Sequence, residues 1–144
     1  MTDTYTGDVS PGGPADVRTL PDVVIRKASV SAMDNNCYLI TCTATGEQLL
    51  IDAADDAPRL LRLIAEGGSE LSEVVTTHQH WDHTRALAEV VAATGARTAA
   101  GREDAAALPV PVDEPLDHGD TVQVGELGLE VGRASCRERV FRTV

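Results

Sequence analysis

Thr77-His78-Gln79-His80-Trp81-Asp82-His83 decides the reading of this chain. Three of the four histidines in 144 residues fall within it, Asp82 stands between two of them, and the apolar pair Val74-Val75 and the hydroxyl pair Thr76-Thr77 lead into it. If Glu73 to Thr77 is a buried strand, His78 and His80, at i and i+2, leave its carboxyl end on the same side and can reach one metal. Asp82 and His83 follow as the chain turns into the helix suggested by 85–94, so they point elsewhere and suit a second metal nearby. Neutral imidazole and carboxylate suit zinc, iron or manganese, and the lack of a thiolate cluster argues against a closed structural zinc site. A polar turn with solvated histidines is the plain alternative for one isolated His. Four ligand types at HxHxDH spacing outweigh it. Trp81 reads as packing or as a wall of the pocket.

With Asn35-Asn36-Cys37-Tyr38-Leu39-Ile40 and Leu49-Leu50-Ile51-Asp52-Ala53-Ala54 upstream of it, the motif resembles the metallo-β-lactamase-fold hydrolases, in their glyoxalase II-like branch. The resemblance implies an α/β (α+β) fold, the αββα sandwich, of which this chain would supply roughly the first half. It implies that His78 and His80 bind one metal and that Asp82 and His83 bind a second, with zinc the expected ion and iron or manganese possible. Asp82 would also be catalytic, tuning or receiving protons at the metal-held water. Asp52 matches the aspartate that ends an early strand beneath the site and would orient the ligands, since metal-bound histidines usually need such partners. An aspartate in a strand-ending turn is nearly as good a reading. The implied function is metal-dependent hydrolysis, a hydroxide held by two metals attacking an ester, thioester, lactone or amide carbonyl of a small molecule. The alternative is a catalytically inactive fragment with weak metal binding, because the family's third histidine, bridging aspartate and final histidine have no match here. His118, in Leu116-Asp117-His118-Gly119-Asp120, reads as a surface turn residue.

The composition changes abruptly near the end. Residues 1–131 carry 8 Lys+Arg against 22 Asp+Glu, whereas 132–144 carry 4 against 1. The words Gly-Arg-Ala-Ser-Cys-Arg-Glu-Arg-Val also resemble the translation of a common sequencing adapter. The chain therefore divides into a flexible lead-in (1–21), a partial metallo-β-lactamase-fold domain (22–131) and a basic tail of non-native character (132–144). An unbroken genomic frame encoding the tail would overturn the last assignment.

The net charge of −11 disfavours a nucleic-acid surface, which needs clustered Lys and Arg. Three cysteines without a CxxC indicate neither a disulfide framework nor a thiolate site. The lead-in lacks a basic n-region and an apolar h-region, and no run is long enough to cross a membrane, so a cytoplasmic setting is expected. Strands are expected over 23–27, 36–41 and 48–51 as an antiparallel meander, then 74–76, 97–100 and a hairpin of 121–124 with 127–131. Pro58, the run Leu60, Leu61, Leu63, Ile64 and the pair Gly67-Gly68 mark a first helix, 86–93 a second, and 103–107 a short turn. With aromatics at 3%, the core must rely on Leu, Val, Ile and Ala. Exposed apolar sheet surface and self-association are expected where a second half would pack.

Overall fold

The computed structural model describes residues 9, 13–30, 35–68, 70–77, 84–117, 119–133 and 139–143. Strands β2 (Val23–Val30), β3 (Asn35–Cys42) and β4 (Gln48–Ile51) form the expected meander, each antiparallel to the next. Helix α1 (Ala57–Gly67) then leads to β5 (Glu73–Thr76), and α2 (Leu87–Thr94) to β6 (Arg97–Gly101). β5 pairs parallel to β4, and β6 parallel to β5. Helical crossovers are what parallel pairing requires, because a tight turn cannot return the chain to the same edge.

Helix α1 shows why the sequence folds as it does locally. Leu60, Leu63 and Ile64 recur at helical spacing and are all buried, forming the stripe that packs on the sheet. Asp56, in the left-handed region at φ 56, caps the start by accepting from Arg59 N at 3.3 Å, and Pro58 fits the first turn, where its missing N–H costs nothing. The helix end meets buried Gln48, whose Nε2 donates to Ile64 O (3.1 Å) and Glu70 O (2.8 Å) while its Oε1 accepts from Thr41 Oγ1 (2.7 Å). Gly67 lies so close that a Cβ there would collide with the Gln48 side chain.

The first sheet has the order β1-β2-β3-β4-β5-β6-β7, with β1 (Asp16–Thr19) and β7 (Glu114–Leu116) at its edges. A second sheet consists of β8 (Thr121–Val124), β9 (Leu127–Arg133) and β10 (Arg139–Thr143), with β9 in the middle. Period-two alternation splits the first sheet's side chains between two cores. On the outer face, Val30, Leu39, Leu50 and Val74 pack with Leu60, Leu63, Leu87 and Val90 of the helices. On the inner face, Ile40, Leu49, Val75 and Leu116 pack with Val122, Val124 and Leu129 of the second sheet. The described elements thus form three layers, helices on a mostly parallel-and-antiparallel mixed sheet and that sheet on a second one.

Several local expectations are corrected. Residues 16–19 of the lead-in form β1 on β2, and the short helix α3 lies at Arg102–Ala105 rather than 103–107. β7 escaped detection because it is three residues long and contains Pro115, which a sheet tolerates at an edge. β9 runs past 131 to Arg133, and residues 139–143 of the basic tail pair with it antiparallel. Among the described residues up to Glu130, the expected bare apolar sheet face is not found. Val17, 37% exposed, is the single exposed large hydrophobic there, because the second sheet lies across the inner face.

Candidate metal centre

β4 and β5 run parallel with Ile51 opposite Val75, so both strands end at the same edge of the sheet. Asp52 is the first residue past β4. It is buried, its backbone stands at φ 63, and its N–H donates to Val75 O at 2.8 Å. A left-handed backbone costs a non-glycine residue about 1–2 kcal/mol. The side chain offsets that cost with two charge-assisted bonds. Thr77 N donates to Asp52 Oδ1 at 2.7 Å and Thr77 Oγ1 donates to Oδ2 at 2.6 Å. The residue immediately before His78 is therefore held by both its backbone and its hydroxyl.

The far side of the motif is held as firmly. Thr84 is buried, Arg85 N donates to Ala54 O at 2.9 Å and Ala86 N to Ala53 O at 3.1 Å. The Arg85 guanidinium reaches Asp55 at 3.6 Å, and Leu87 N donates to Thr84 O at 3.1 Å as α2 begins. Asp52-Ala53-Ala54-Asp55 thus grips both flanks of residues 78–83 at the carboxyl edge of β4 and β5. His78, His80, Trp81, Asp82 and His83 themselves lie outside the described residues, as does His118. Among the described residues no group of three or more His, Cys, Asp or Glu is arranged to hold a metal.

Around this edge, Tyr38 of β3 stands opposite Ile51 on the inner face, half-buried, with Lys27 Nζ 6.0 Å from its ring centroid. Burial, with the nearby Asp52 charge behind it, pushes the Tyr38 phenol above its ordinary value. Cys37, one residue earlier, faces the outer core, where burial pushes its thiol up to about 12. It is a packing residue, inert as a thiolate. Cys37 and Cys42 are both free and buried. Asp52 was legible in the sequence as the aspartate that ends an early strand. Thr77 as its counterpart was not, although a hydroxyl directly before the first histidine was the available clue.

A sequence profile of the metallo-beta-lactamase superfamily matches residues 30–138. The chain belongs to that superfamily. Among curated members it is similar to a hydroxyacylglutathione hydrolase of Cereibacter sphaeroides, 41% identical over 92 residues, which are 64% of this chain and 35% of that protein. The metallo-beta-lactamase fold is equally clear in solved structures. ETHE1 from Myxococcus xanthus superposes with a TM-score of 0.69 at 27% identity, covering 83% of this chain and 53% of its own. The metallo-beta-lactamase MIM-1 from Novosphingobium pentaromativorans gives 0.71 at 25%, covering 92% and 56%. The chain thus spans about a third of the length of the curated relatives it matches. Its α/β architecture, with three stacked layers, is that part of the superfamily fold. Among the described residues no helix is long and apolar enough to cross a membrane.

Proposed function

We propose that the protein is a metal-dependent hydrolase whose ligand segment is 78–83, with His78 and His80 serving one ion and Asp82 and His83 a second. The observation that carries this reading is the double anchorage of that segment, by Asp52 on Thr77 and by Ala53 and Ala54 on Ala86 and Arg85. Metal sites need ligands held by a surrounding shell, and the backbone and side-chain bonds on both flanks of the segment support this reading. Three imidazoles and a carboxylate are a donor set that fits zinc, and also iron or manganese. Bound metal would lower the pKa of water toward neutrality and polarise the carbonyl under attack. The chain's own contributions are to hold the donors, through Thr77 and Asp52, and to move a proton at the Asp82 carboxylate.

The substrate class that best fits is an acyl thioester of a small molecule, since the curated relatives are hydroxyacylglutathione hydrolases at 36–42% identity. A second reading is an inactive fragment with weak metal binding. Hydrolysis of S-lactoylglutathione by the zinc-loaded chain, beside a version carrying downstream sequence from its source genome, distinguishes the two. Turnover by the longer protein that is lost with His80→Ala supports the hydrolase. Turnover unchanged by that substitution overturns the assignment of the ligands. Turnover by the longer protein and none by this chain supports the fragment reading for this polypeptide.

A further inference from the structure

Glu73 opens β5 and faces the inner side of the first sheet, in register between Leu49 of β4 and Arg97 of β6. Glu114 of β7, opposite Ala99, projects on the same side. Glu73 is only 7% exposed, and its Oε2 is buried without a hydrogen-bond partner among the described residues. An ionised carboxylate in that position forfeits hydration and gains nothing for one of its oxygens. Among the described residues, Arg97 on β6, Glu114 on β7 and Asp113 in the turn before β7 are the charged groups that act on it. β4 contributes apolar Leu49, and the second sheet adds apolar Val122, Val124 and Leu129 to the same face. Asp113 Oδ2 already accepts from Thr98 N at 3.0 Å. Of the three, Glu114 is the one whose side chain is within bonding reach of Glu73. Two ionised carboxylates are acceptors only, so a bond between them requires a proton.

We propose that Glu73 and Glu114 share one proton across β5, β6 and β7, forming a latch that holds this half of the sheet and loosens when the proton leaves. Desolvation first, and then the Glu114 charge, push the Glu73 carboxyl from its ordinary 4.5 up to about 7, with Arg97 opposing. The sign follows from proton counts. Between 4.5 and about 7 the folded state holds a proton that the unfolded state has released, so each rise in pH lowers stability. Below that window both states are protonated and the contribution is complete. Above it both are ionised and the contribution is lost. β5 is four residues long and ends beside Thr77, so the latch also sets how firmly the strand before the histidines is held.

Urea unfolding of the 144-residue chain at pH 5, 6, 7 and 8, beside Glu73→Gln and Glu114→Gln, tests the latch. The unfolding midpoint of the unsubstituted chain is expected to fall across this range, and the fall to shrink by at least half in Glu73→Gln, which outlasts the parent at pH 8. A carbon-13 titration of the glutamate carboxyls in the unsubstituted chain reads the same proton without any substitution. One resonance titrating near 7 that moves in Glu114→Gln supports the latch. All glutamates titrating in the ordinary range, or an unchanged pH dependence in a folded Glu73→Gln, overturns it.

Discussion

Asp52 takes a left-handed backbone, buries a carboxylate and spends both its oxygens on Thr77. A residue that strained persists only where its side chain repays the cost. Replacing it with alanine orphans Thr77 N and Oγ1 and is expected to cost about 1–3 kcal/mol in urea unfolding. It should also weaken zinc binding about 10–100-fold by titration, the usual scale for a partner one step from the ligands. Thr77→Ser keeps the hydroxyl and should bind zinc like the parent, whereas Thr77→Val should resemble the Asp52 variant. Equal zinc affinity in all three would refute the positioning role. In the sequence, Asp52 was visible as an acid closing an apolar strand, but its backbone angle was not. Nothing in Ile-Asp-Ala-Ala states that the next two carbonyls will grip Arg85 and Ala86, because that contact joins the end of β4 to the start of α2, far apart along the chain.

At the scale of the elements, most of what the chain forms was readable where burial is one-sided and caps are explicit. Pro58, the Leu60-Leu63-Ile64 stripe and Gly67-Gly68 delimit α1, and Gly125-Glu126 marks the β8–β9 hairpin. Leu63→Ala removes a fully buried side chain from the stripe and is expected to cost about 2–5 kcal/mol by thermal or urea unfolding. Arg62→Ala, on the exposed side of the same helix, should leave the midpoint unchanged. Gly67→Ala would drive a methyl into the Gln48 side chain and should destabilise the chain even though alanine is the better helix former. A neutral or stabilising Gly67→Ala would show that Gln48 yields. The elements that escaped were short and at edges, β1 and β7 of the first sheet and β10 of the second. An edge strand buries little and pairs on one side, so hydrophobic period gives it almost no signal.

For the whole molecule, the layer order follows from alternation within the central strands. Val74 faces the helices and Val75 the second sheet, so a buried, all-apolar strand at 74–75 already implied cover on both sides. What the sequence could not supply was the identity of that cover, which the β8–β9–β10 sheet provides. The same alternation places Glu73 inside, where its apolar neighbours and Glu114 make its proton a stability term. The superfamily assignment rests on residues 30–138, and the fold positions the two flanks of the histidine segment at one sheet edge. The most direct test of the account is zinc titration of the chain followed by elemental analysis, beside a His78→Ala/His80→Ala variant of unchanged fold by circular dichroism. Zinc retained by the chain and lost from the variant is the predicted result; the same zinc content in both would contradict it.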